Sequence, residues 1–159
     1  MSFQRYKKQV ALLLKLLPII SKETDFALHG GTAINLFQQN MPRLSVDIDL
    51  TYLPVADREA SLEEINQKLL AVKQKITRNF PDLNVVHRAK SSKLMISNVE
   101  ALVKVEVNQI KRGCYAKPRW MNLCTKAQQE FNSFSEMQIV EKGHLYGGKM
   151  CAALDRQHP

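Results

Sequence analysis

The sequence predicts an α/β (α+β) fold: a mixed β-sheet with helices packed mainly on one side. Three observations carry that expectation. Two runs, 45–51 and 103–108, alternate apolar and polar residues with a period of two, as half-buried strands do. Two long runs near 4–20 and 61–80 repeat apolar residues at helical spacing. Between the first helix and the first alternating run, a short apolar segment ends in Gly30-Gly31 and turns into a helix-like run.

Taken in order, Gln4 to Ile20 is expected as a core helix. Val10, Leu13, Leu14 and Leu17 form its stripe, and Pro18 stands near its end. Phe26–His29 reads as a short buried strand and Gly31–Gln39 as a helix turning Ala33, Leu36 and Phe37 inward. Asn40 to Arg43 leads into a strand over Val46–Tyr52. Val46, Ile48 and Leu50 lie on one face of it; Ser45, Asp47, Asp49 and Thr51 lie on the other. Ser61 to Phe80 is the long helix. Ser61 and Glu64 have the spacing of a capping box, and Leu62, Ile65, Leu69, Val72 and Ile76 make the apolar face. Leu83–Arg88 and Lys93–Ser97 read as strands around a Ser-rich turn. Over Ala101–Asn108, Val103, Val105 and Val107 oppose Lys104, Glu106 and Asn108. Gly113 to Asn132 has no periodicity that assigns it. Glu141–Arg156 closes the chain with a helix starting near His144.

A chain of 159 residues with 45% hydrophobic content suits one domain with a core of its own. Its 23 lysines and arginines against 15 acids leave a formal charge of +8. That balance suits a polyanionic partner, although ordinary solubility charge gives the same number. Cys114, Cys124 and Cys151 have neither the spacing of a zinc site nor the even number of a disulfide framework, which points to reduced thiols and the cytoplasm. The apolar run Ala11–Ile20 is broken by Lys15 and is too short to span a bilayer, so no membrane partner is expected.

Asp47 and Asp49 share one strand face roughly 7 Å apart, at ~3.3 Å of rise per residue. Like charges so close favour a cation between them, and hard carboxylate oxygens suit Mg²⁺ or Mn²⁺. The alternative is the wet face of an exposed strand. Gly30-Gly31 is either a plain turn or a close backbone approach to phosphate at a helix start. Arg43 is a partner for phosphate or, with somewhat more local reason, for Asp47 or Asp49. Glu106 joins the two aspartates as a third carboxylate if its strand lies beside theirs; otherwise it is an exposed acid paired to Lys104 or a cross-strand lysine. Lys149 and Arg156 fall on one face of the last helix, with Ala152 and Ala153 between them. His29, His87, His144 and His158 have no ligand spacing.

Gly30-Gly31-Thr32-Ala33-Ile34 followed by Arg43-x-Ser45-x-Asp47-x-Asp49-Leu50 resembles the AbiEii-type nucleotidyltransferase toxins, a branch of the polymerase-β-like nucleotidyltransferase superfamily. The resemblance extends to the final helix and so over nearly the whole chain. His29 stands where that family often has lysine. The resemblance implies a nucleotidyltransferase-like fold. It implies one or two Mg²⁺ (or Mn²⁺) ions on Asp47, Asp49 and Glu106, with Glu106 activating the attacking hydroxyl. It places an NTP against Gly30, Gly31, Thr32, Arg43, Ser45 and Lys149. It further implies transfer of a nucleoside monophosphate to an RNA (tRNA) or protein acceptor, and a cognate antitoxin as partner. Members of the family continue past the position of Asp155-Arg156 into a helical C-terminal region. Residues 1–159 are therefore expected to form a single nucleotidyltransferase-like domain without that region, as a fragment, a truncated gene or a minimal member.

Two other readings share these residues. A two-metal phosphodiesterase or nuclease also clusters acids on strands, but leaves the Gly-Gly-Thr turn unexplained. A degenerate relative would bind nucleotide, RNA or antitoxin without catalysis; intact Asp47 and Asp49 argue against it.

Overall fold

The computed structural model describes residues 3–147. Seven strands form one sheet in the order β3-β4-β5-β2-β1-β7-β6. They are β1 (Phe26–His29), β2 (Asp47–Tyr52), β3 (Asn84–Arg88), β4 (Lys93–Ser97), β5 (Leu102–Val107), β6 (Arg119–Asn122) and β7 (Glu136–Ile139). The sheet is mixed: β2 runs parallel to β5 and β1 parallel to β7, and the remaining neighbours are antiparallel.

Helices α1 (Phe3–Ile20) and α3 (Arg58–Asn79) lie against each other and cover one face of this sheet. Alternation decides which strand residues meet them. Ile48, Leu50, Val103, Val105 and Val107 are all within 1% of full burial, and Leu94 and Ile96 on β4 join them. His87 on β3 reaches Asn66 of α3 through its Nε2, 3.0 Å from the amide oxygen. The intervening residues of the same strands turn to the opposite face, which α1 and α3 leave open. No helix of the described residues is long and apolar enough to cross a membrane.

The long helix begins earlier than its sequence suggests. Asp57 is the N-cap, its carboxylate accepting from Ala60 N at 2.8 Å. Ser61 does not cap: it is buried one turn inside, its hydroxyl donating to the Ala56 carbonyl. Arg58 to Ala60 extend the helix because the Asp57 carboxylate, immediately before them, satisfies the N–H of Ala60 in the first turn. The strand of the aspartates starts at Asp47 rather than Val46, and β5 loses one residue at each end of its expected span.

The unassigned stretch holds β6 and a seven-residue helix, α4 (Thr125–Phe131); β7, which follows, was also not anticipated. Cys114 and Cys124 are free thiols; Cys151 lies outside the described residues.

Candidate active site

The site is built where β1 ends. Gly30 takes φ +77, the left-handed region that favours glycine, and turns the chain from β1 into α2 (Gly30–Ala33). A Cβ at Gly30 would stand 2.9 Å from Oδ2 of Asp49, so the turn lies directly on that carboxylate. α2 continues without a break into a π-helical turn, Ile34–Gln38, where Gln39 N reaches back to the carbonyl of Ile34. Thr32 is buried and ties this turn to the aspartate strand. Its hydroxyl donates to the backbone carbonyl of Asp47 and lies 2.6 Å from the Ser45 hydroxyl. The hydroxyls of Thr32 and Ser45 are thus engaged with each other and with the backbone.

Register does the rest. Across β1, β2, β5 and β4 the directly paired residues are His29, Asp49, Glu106 and Lys93. One step back along β2, Asp47 pairs with Lys104. Because β2 and β5 run in parallel, Asp47, Asp49, Lys104 and Glu106 all point to the face that α1 and α3 leave open. Glu106 is the direct neighbour of Asp49 and also carries ion pairs, to Lys104 Nζ at 3.2 Å and Lys93 Nζ at 3.6 Å. Glu106 thus lies next to Asp49 and is at the same time paired to two lysines.

This crowding sets the local electrostatics. Burial, then the Asp47 and Glu106 carboxylates, push the Asp49 carboxyl up to about 6, with Lys104 working against them. Burial first, then the nearby His144, lower the His29 imidazole to about 4; Glu106 opposes that shift and Lys111 adds to it. His29 Nδ1 lies 2.8 Å from the Thr51 hydroxyl. A neutral imidazole therefore stands beside an acid that is reluctant to ionise alone.

A cavity of about 470 Å³ opens over the row, lined by His29, Asp49, Lys93, Glu106, Asn108 and Gln109. Its donor chemistry, carboxylate oxygens whose mutual repulsion already favours added positive charge, fits a hard divalent cation. No three acids, histidines or cysteines among the described residues are drawn together tightly enough to close on a metal as they stand.

The other expected site residues fare differently. Arg43 is exposed and makes no ion pair with Asp47 or Asp49, contrary to the local pairing anticipated. It precedes β2 by four residues, outside the ladder that holds the acids in register. Lys149 and Arg156 lie outside the described residues. Three groups at the row were not singled out from the sequence as site residues: His29, Lys93 and Lys104. Lys104 was visible two positions before Glu106; Lys93 needs the β4–β5 register to be seen.

The model of a protein family described as nucleotidyl transferase AbiEii toxin, of a type IV toxin–antitoxin system, matches residues 11–159. No curated protein sequence matches the chain. Among solved structures, MenT4, a nucleotidyltransferase toxin from Mycobacterium tuberculosis, superposes with a TM-score of 0.65 at 14% identity. The match covers 92% of this chain and 52% of MenT4, so the chain spans about half the length of that protein and shares its fold. With the family model running over all but the first ten residues, the chain belongs to the AbiEii nucleotidyltransferase toxin family.

Proposed function

We infer that this chain carries the catalytic centre of a nucleotidyltransferase that moves a nucleoside monophosphate from an NTP to a hydroxyl on an RNA (tRNA) or protein acceptor. The observation that carries this reading is the register of β2 with β5, which sets Glu106 beside Asp49, with Asp47 on the same face and the Gly30 turn against Asp49.

Asp47 and Asp49, with Glu106, would hold Mg²⁺ or Mn²⁺, which supplies charge neutralisation at the α-phosphate and the leaving pyrophosphate. The protein's own part is positioning. Gly30 and Gly31 bring backbone close to the acids, where no side chain fits at Gly30. Thr32 and Ser45 fix that turn to β2 rather than reaching for phosphate. The acceptor oxygen bonds to the α-phosphorus as the bond to the β-phosphate oxygen breaks. The hydroxyl proton passes to the Glu106 carboxylate, which Lys93 and Lys104 hold in place. Lys149 and Arg43 supply positive charge to the phosphates. Unchecked transfer of this kind is toxic to a cell, and a cognate antitoxin is the partner that restrains it.

Incubation with each α-labelled NTP, Mg²⁺ and total tRNA or cell protein tests the reading. Label should move into acceptor with wild type and not with Asp47→Asn. Shortened RNA with no label transferred would establish a nuclease instead. Lys149→Ala should weaken triphosphate binding roughly ten- to hundredfold and leave nucleoside binding unchanged, because a charge-assisted contact is worth ~1.5–3 kcal/mol.

A further inference from the structure

Each oxygen of the Glu106 carboxylate faces a different ammonium group. Oε1 lies 3.6 Å from Lys93 Nζ, and Oε2 lies 3.2 Å from Lys104 Nζ. The two lysines arrive by different routes. Lys93 is the partner of Glu106 across the β4–β5 ladder. Lys104 stands two residues back on β5 itself, so the strand's period of two puts it on the same face, and it is paired in register with Asp47. Lys104 therefore sits among all three carboxylates, whereas β5 separates Lys93 from the aspartates. The Lys104 ammonium is held above its ordinary range, first by its hydrogen bond to Glu106; burial opposes this, and the charges of Glu106, Asp47 and Asp49 add to it.

The Lys104 and Glu106 side chains are 32% and 34% exposed. Ion pairs so open to water contribute little to stability, so the weight of this arrangement falls on the charge of the site. At neutral pH the lysines Lys93 and Lys104 leave the row of Asp47, Asp49 and Glu106 with one net negative charge instead of three. Two kinds of visitor feel that difference with opposite sign. A bare divalent cation is drawn less strongly to one negative charge than to three. A triphosphate that already carries a divalent cation is itself an anion, and one negative charge repels it less than three do. Coulomb energy follows the product of the charges, so one ammonium group weakens the first encounter and strengthens the second.

We propose that Lys104 is a positioning residue that sets the form in which the site takes its metal: paired to Glu106 and set beside Asp47, it disfavours a bare divalent cation and favours a metal–triphosphate complex. The proposal rests on the metal-dependent transfer reading above and adds an order of loading, in which metal and nucleotide enter together. Lys93, on the other oxygen of Glu106, acts in the same direction and more weakly.

Two probes at low salt test this: Mn²⁺ alone, followed by the loss of its free-ion paramagnetic resonance signal, and manganese tripolyphosphate, followed by calorimetry. Lys104→Met keeps the apolar stem and removes the charge. It should bind Mn²⁺ roughly tenfold more tightly than wild type and manganese tripolyphosphate roughly tenfold more weakly, the scale of one unit charge a few ångströms from a divalent ion in water. Lys104→Arg should keep both affinities at the wild-type level. Lys93→Met should shift both in the same directions by less, and it carries the test if Lys104→Met does not fold. A merely structural lysine would not move the two affinities in opposite directions. Either affinity within about twofold of wild type in Lys104→Met, or both moving the same way, overturns the proposal. The metal reading then still stands if wild type binds Mn²⁺ and Asp47→Asn does not. No binding of either probe by wild type or by Lys104→Met overturns both.

Discussion

The two faces of strands β2 and β5 do opposite work with alternate residues of the same ten-odd positions. Toward α1 and α3, Ile48, Leu50, Val103 and Val105 are sealed from water. Toward the open side, Asp47, Asp49, Lys104 and Glu106 stand half-buried and crowded with charge. The first face supplies apolar burial; the second carries a penalty that the first must offset. Because the period of a strand is two, a slip of one residue would exchange them, so the burial of Leu50 is also what aims Asp49.

If that division holds, substitutions on the two faces should separate cleanly in thermal melts. The largest loss should come from Leu50→Ala, which empties a fully buried position and should cost ~2–5 kcal/mol. A melt within 1 °C of wild type would mean the inner face is not the one holding the sheet.

The open face should show itself next through pH, in metal-free protein. Asp49 has a folded-state value, about 6, above its ordinary one, so the folded state holds the extra proton; the stability this confers is present at low pH and lost as pH rises through 6. His29 has a folded-state value, about 4, below its ordinary 6.5. The unfolded state binds the extra proton, so this group favours folding above 6.5 and opposes it as pH falls toward 4. The two slopes oppose each other between pH 4 and 6.5 and largely cancel. Asp49→Asn should expose the His29 slope, a rise in stability of about 1–3 kcal/mol from pH 4 to 6.5 relative to wild type. A parallel pH profile for wild type and Asp49→Asn would refute the pairing.

Gly30→Ala should cost a similar ~1–3 kcal/mol, from a left-handed backbone and a Cβ driven against Asp49. Restored stability in the double variant Gly30→Ala with Asp49→Ala, which removes the obstructing carboxylate, would assign the larger part of that cost to the clash. The smallest effect on stability belongs to Asp47→Asn. Removing one of several neighbouring negative charges should leave the apo melting temperature equal or slightly higher, while Mg²⁺ ceases to raise NTP affinity. A sharp fall in melting temperature would make Asp47 a structural acid.

What the sequence disclosed follows the same division. Alternation in 45–51 and 103–108 identified both faces and put Glu106 on one face with the two aspartates if the strands were neighbours; that it stands opposite Asp49 in particular is a matter of register. Two things were hidden. Lys93 and His29 enter the row only through pairing between strands, which no local pattern encodes. The β6–α4–β7 segment was illegible for another reason. β6 is an edge strand with no buried residue, so it has no alternation to detect. In β7 the polar Gln138 sits within a buried run, its amide donating to the carbonyl of Thr24 at 2.8 Å. Asp57 as the cap of α3 was passed over because Ser61 and Glu64 imitate a capping box one turn further on.

The position of β7 beside β1 has a consequence for synthesis of the chain. The strands that bear the carboxylates are complete once residue 107 has been made, yet β1 keeps one bare edge until Glu136–Ile139 leave the ribosome. That edge belongs to Phe26, Ala27 and Leu28, among the most deeply buried residues of the finished molecule. A nascent chain of intermediate length would therefore hold its acids in place while offering an apolar, unpaired strand to any neighbour. Maturation of the site and protection from aggregation are separated in time by some thirty residues of translation, a delay of a few seconds at ordinary elongation rates of ~5–20 residues per second.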